Sequence, residues 1–195
     1  MFIECHASLW RALVMASFLS TLGCTVRTHP SGQVTRGAAE ADVAAVYAAV
    51  ISAETRPKPG APTLVAPLTR PPLSYDCRPT TQTESDAWRS AIDSYISVRY
   101  TEASIPSTLP LPRSLYRLLP REGKSPRGCD TQKAFPFIQM SRVGFDTTRT
   151  LAVVHRVHAC SCIECGDASD LFLQKQNGEW RIVQPAGVKG CGWIS

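Results

Sequence analysis

The sequence lacks any run of roughly twenty consecutive apolar residues, the length a helix needs to cross a bilayer; its N-terminal uncharged run, Ala12 to Leu22, is eleven residues long. It also lacks G-x-S-x-G, H-E-x-x-H, a Walker loop and a dinucleotide-type glycine run. The enzyme classes that depend on those motifs lose their support, the chain leans away from being an enzyme, and no cofactor is expected. Lysine and arginine form no block. Twenty-one basic residues against 16 acidic ones leave a net charge of +5, scattered in a way that serves solubility rather than nucleic-acid binding.

What is present begins with address. Eleven uncharged residues are too few for a membrane span but suit the apolar region of an export signal, which runs about 7–15 residues. Ser20-Thr21-Leu22-Gly23-Cys24 then resembles the lipobox of bacterial lipoproteins, with Thr21 where leucine is usual. That resemblance implies cleavage before Cys24 and lipidation of Cys24. Several acyl chains on one residue anchor a domain stably, so the membrane becomes a partner through the N-terminal lipid. Thr25 after the cysteine, in place of aspartate, implies the outer membrane with the domain facing the periplasm. The expected organisation is a signal peptide over 1–23, a polar tether over 24–36 and a single α+β domain over 37–195.

Cysteine usage agrees with export. Beyond Cys5 and Cys24 there are six: Cys77, Cys129, Cys160, Cys162, Cys165 and Cys191. An even set in an exported chain reads as a disulfide framework. Cys160 and Cys162 are two apart, so on a continuing strand they share a face and do not pair together. The expectation is that the "CSCIEC" cluster ties to Cys191 or across its own turn, and that Cys77 bonds Cys129. The weaker alternative is a metal held by Cys160, Cys162, Cys165 and His158, soft ligands suited to zinc or copper(I). No second Cys-x-x-Cys is present to complete a structural zinc site, so no metal is expected.

Periodicity divides the domain. Ala38 to Ala53 carries Val43, Val46, Tyr47, Val50 and Ile51 at helical spacing, and a second helix starting near Thr83 to Asp86 carries Trp88, Ile92, Tyr95 and Ile96. Thr63 to Leu68 and Leu115 to Leu119 are short candidate strands. From Phe137 the period becomes two, giving strands over Phe137–Asp146, Arg149–Ala159, Ala168–Gln176 and Glu179–Gln184. Asn177-Gly178 predicts a type I′ hairpin whose apolar face includes Leu171, Leu173, Trp180 and Ile182. The expected fold is α+β: two N-terminal helices covering one face of a C-terminal antiparallel meander. His155 and His158 point to opposite faces of their strand. Asp167, Asp170 and Glu164 read as solvated turn acids, and Arg142 as a surface arginine in a cross-strand pair.

Ser141-Arg142-Val143-Gly144-Phe145-Asp146, Ala152-Val153-Val154, Cys162-Ile163-Glu164-Cys165-Gly166, Gly178-Glu179-Trp180 and Trp193-Ile194-Ser195 together resemble a family of uncharacterised exported bacterial proteins. The resemblance covers roughly 137–195 and implies no activity. The order of elements is similar to NTF2-like and cystatin-like domains, an analogy of fold that assigns no chemistry. The functional expectation is therefore a non-catalytic, lipid-anchored envelope protein that binds a protein or cell-wall partner. The alternative is an NTF2-like pocket that binds or transforms a small molecule. A deep pocket lined by an acid–histidine pair would favour the latter, and a shallow surface the former.

Overall fold

The computed structural model describes residues 31–54, 61–71, 77–81, 86–120, 137–159 and 166–194, with the side chains of 31–36, 38, 86, 159, 193 and 194 left aside. Helix α1, Ser31–Ala53, begins within the stretch expected to be a tether. Its alanine-rich sequence is an intrinsic helix former. Val46, Tyr47, Val50 and Ile51 are buried along one stripe, at the predicted i, i+3, i+4 spacing. Helix α2, Asp86–Val98, buries Ala91, Ile92 and Tyr95. Thr101 closes it, its N–H and hydroxyl both donating to the Val98 carbonyl.

The described residues hold ten strands, the first two before α2: β1 Thr63–Val65, β2 Thr80–Thr81, β3 Tyr116–Leu118, β4 Phe137–Met140, β5 Gly144–Phe145, β6 Leu151–Ala159, β7 Gly166–Gln176, β8 Glu179–Val183, β9 Val188–Lys189 and β10 Gly192–Ile194. The main sheet runs β10-β7-β6-β4-β1-β3. β5 shares the β4 edge of β6, and β8 shares the β10 edge of β7. β2 and β9 form a separate antiparallel ribbon.

The meander from β4 to β8 is antiparallel as expected, but the sheet extends beyond it. β1 pairs in parallel with both β3 and β4, so segments that precede the meander supply one edge. The layering also differs from expectation, because the helices cover opposite faces. Ala152 and Val154 of β6 pack with α1, whereas Leu151 and Val153 pack with α2. Successive strand residues point to opposite sides. Four consecutive residues that are all buried apolar therefore require cover on both, each such side chain contributing about 1.5–3 kcal/mol when fully removed from water.

The Asn177-Gly178 turn has φ of 51° and 85°, the left-handed pair a type I′ hairpin requires. Gln176 faces Glu179 across it and Leu173 faces Ile182. Leu173 and Trp180 enter the α1 core, but Ile182, expected on the same apolar face, is 38% exposed because β8 runs along the edge of that core.

Candidate functional site

The expected strand Phe137–Asp146 is interrupted, and the interruption builds the site. Met140 faces Arg156 and Gly144 faces Val153, so Ser141, Arg142 and Val143 oppose only Val154 and His155. This is a β-bulge, which re-aims side chains. Ser141 repairs the ladder: its N–H donates to the His155 carbonyl at 2.9 Å, and its Oγ accepts the His155 N–H at 2.9 Å. Tyr47 of α1 donates its hydroxyl to the Ser141 carbonyl at 3.0 Å. Gly144 lets α2 approach, since a Cβ there would lie 2.1 Å from the Tyr95 amide nitrogen.

Phe145 packs edge-on against Trp180 with ring centroids 5.7 Å apart, and the Arg149 guanidinium lies 4.1 Å from the Phe145 centroid. Asp146 caps the turn into β6. Its carboxylate accepts the N–H groups of Thr148, Thr150 and Leu151 and the hydroxyls of Thr148 and Thr150. Burial alone would raise its pKa, but the hydrogen bonds from Thr148, Leu151 and Thr150 outweigh burial and hold it below the usual value. Thus Ser141, Gly144 and Asp146 of the S-R-V-G-F-D motif fix backbone geometry, and Arg142 is the member turned out to solvent.

Arg142 and Val143 line an open cleft of about 970 Å3 between α1, the 104–108 loop and the β5–β6 turn. Its walls carry Ala39, Glu40 and Val43 from α1, Ser107 and Thr108 from the loop, and Thr147 and Arg149 from the turn. Arg149 has φ of 57° and is held by Asp42 Oδ2 at 3.0 Å and the Ala39 carbonyl at 3.0 Å. A second groove of about 700 Å3 runs between Ala45, Ala49 and Ser52 of α1 and Trp180 and Ile182 of β8.

Two polar constellations occupy opposite faces of the β6–β7 pair, and each contains one of the histidines. On the α2 face, His155 Nδ1 is 2.8 Å from Asp170 Oδ1, directly opposite in register. Tyr95 donates its hydroxyl to the same oxygen at 3.2 Å. Burial first, and then the Asp170 charge, push the Tyr95 hydroxyl pKa up, so it remains a donor. Asp170, expected as a solvated acid, is buried because it sits under α2 and accepts these bonds. None of the three lines either cleft described above.

On the α1 face, His158 Nδ1 is 2.7 Å from Asp167 Oδ1, and its Nε2 reaches Glu54 Oε2. Arg156 bridges the same two acids, 3.1 Å from Glu54 Oε1 and in contact with Asp167 Oδ2. Asp167, partly exposed, is therefore a member of a closed ion-pair ring. The hydrogen bond that His158 donates to Glu54 raises the His158 pKa more than burial lowers it, and Asp167 adds to the rise. For Glu54, burial raises the pKa, but His158 and Arg156 reverse this and bring it below the ordinary value. Both ring nitrogens of His158 thus face carboxylates.

Cys77 bonds Cys191, with Cα atoms 5.8 Å apart. This replaces both expected partners, Cys129 for Cys77 and the cysteine cluster for Cys191. The reason is the course of the chain: β9 pairs with β2, three residues past Cys77, and brings Cys191 alongside. Cys24, Cys129, Cys160, Cys162 and Cys165 lie outside the described residues. No helix among the described residues is long and apolar enough to cross a membrane. Sequence reasoning missed the bulge and its cleft. The two short connections around Gly144 and a polar Ser-Arg pair inside an apolar run were the available signals. No family model, curated sequence or solved structure matches the chain.

Proposed function

We propose that the chain is a lipid-anchored cell-envelope protein whose α+β domain is a non-catalytic binding module for a protein or cell-wall partner. One observation carries the non-catalytic part. The acid–histidine pairs are consumed internally, His155 with buried Asp170 and His158 with Glu54 and Asp167, while the open cleft is lined by two arginines, Glu40, the turn-bound Asp146, hydroxyls and apolar side chains, with no histidine among the described lining residues. A general base must reach a substrate proton, and neither histidine lines the described clefts.

The address rests on two further supports. Cys77–Cys191 suits an oxidising compartment. Cys24 follows an eleven-residue apolar run and Gly23. Lipidation at Cys24, residence in the outer membrane, membership of the exported family with the S-R-V-G-F pattern, and an NTF2-like or cystatin-like order of elements belong to the same proposal.

Metabolic labelling with a fatty acid in a lipoprotein-processing host tests the anchor. Wild type should carry label and pellet with membranes, and Cys24→Ser should lose both; unchanged labelling of that variant ends the anchoring claim. Affinity capture of the full chain from envelope extract tests the binding module. A partner retained by wild type should be lost by Thr147→Trp, which fills the cleft from an exposed position.

A further inference from the structure

We infer that the cleft between α1, the 104–108 loop and the β5–β6 turn binds the free carboxylate of a small extended ligand, an inference that rests on the binding-module reading above. Two guanidinium groups stand on its walls. Arg142 is exposed and donates one N–H, to Thr101 Oγ1 at 3.0 Å, out of the five donors such a group carries. Arg149 spends Nε on Asp42 and Nη2 on the Ala39 carbonyl and lies over Phe145, so it is a fixed positive wall and Arg142 carries the open fork. A planar fork of N–H donors matches a carboxylate with two parallel bonds.

The acids nearby match the arginines in number but are engaged by partners of their own. The Asp146 carboxylate is enclosed by hydroxyl and amide donors of its own turn and is 4% exposed. Asp42 is shared between Arg149 and Lys175, which is 2.8 Å away. Glu40, on the α1 rim, is the remaining acid among the described lining residues. Arg142 and Arg149 balance Glu40 and Asp146 among the charged lining residues, which suits one singly charged carboxylate on the exposed Arg142 better than a doubly charged phosphate. Ser107, Thr108 and Thr147 supply hydroxyls, and Ala39, Val43 and Ala44 a small-residue apolar wall, so the body of the ligand is short-chained and partly polar. A volume of about 970 Å3 lies at the upper end of ligand sites, which span about 300–1,000 Å3.

The experiment is titration calorimetry on the purified full chain with four probes: acetyl-Ala-Ala-Ala as the free acid, the same peptide as its amide, N-acetylmuramic acid, and inorganic phosphate. The free acid should bind at least tenfold more tightly than the amide. Arg142→Gln should lose at least tenfold of that affinity, and Thr147→Trp should abolish it. Stronger binding of the muramic acid than of the peptide assigns the carboxylate to a glycan, and the reverse assigns it to a peptide end.

Equal affinity for acid and amide, indifference to Arg142→Gln, preference for phosphate, or no binding by any acid overturns the inference. A chain that captures an envelope partner but ignores every acid refutes the carboxylate and leaves the binding-module reading standing. A chain that binds acid but retains no partner refutes that reading and leaves the carboxylate site.

Discussion

Asp170 and Cys191 are bonded twice: the Asp170 N–H donates to the Cys191 carbonyl at 2.7 Å, and the Cys191 N–H donates to Asp170 Oδ2 at 2.8 Å. The other Asp170 oxygen takes the Tyr95 hydroxyl and faces His155, while Arg99 donates to the Cys77 carbonyl at 2.9 Å. Both ends of the disulfide are thus gripped through their backbones by buried polar side chains from the α2 region and β7. A covalent link and a polar network hold the same corner.

Replacing Cys77 and Cys191 together by serine should lower unfolding free energy by about 2–5 kcal/mol, since the bond closes a long loop spanning 114 residues. Urea unfolding of the oxidised chains measures the difference. Peptide mapping without reduction should recover a fragment joining Cys77 to Cys191; one joining Cys77 to Cys129 would contradict the connectivity.

Gly144→Ala should destabilise by at least about 3 kcal/mol, more than ordinary overpacking. The added methyl meets backbone of α2, with Tyr95 N at 2.1 Å, and cannot be relieved by a side-chain rotation. Gly178→Ala is the contrasting control. It meets no atom within 4 Å, and its cost comes from the positive φ alone. A loss below about 1 kcal/mol for Gly144→Ala would show that α2 can lift off the bulge without penalty.

The Glu54–Arg156–His158–Asp167 ring predicts a stability maximum in mildly acidic solution. The His158 pKa is raised on folding, so its contribution is fully present below the unfolded value of about 6.5 and disappears as pH rises through the higher folded value. The Glu54 pKa is lowered, so its contribution is present above the unfolded value and is lost as pH falls through the folded one. Wild type should therefore weaken as pH rises above about 6.5, and His158→Gln should remove that decline while costing stability at pH 6. Parallel curves for the two proteins across this range would refute the ring's role.

The sequence made the long periodic segments readable. α2, β6, β7 and β8 lie where their apolar spacing placed them, and Asn177-Gly178 turns as its φ requirement demands. The three-residue strands β1 and β3 are too short to display a period, and their parallel pairing depends on partners distant in sequence. The opposite placement of the helices was written in β6, where Leu151, Ala152, Val153 and Val154 leave neither face polar; assigning both helices to one face ignored that. The cleft was not legible. Arg142 and Arg149 look like ordinary surface arginines until the bulge at Ser141 and the positive φ of Arg149 bring them onto one cavity.

The Cys77–Cys191 connection has a consequence for the order of events in the life of the chain. Cys129, Cys160, Cys162 and Cys165 all precede Cys191 in synthesis and follow Cys77. Of the cysteines after Cys77, the native partner is the last to appear. A chain oxidised while it grows must exchange any earlier Cys77 disulfide through thiolate attack before reaching the native one. Correct maturation therefore depends on a thiol–disulfide exchange activity, or on a delay in oxidation until β9 has paired with β2.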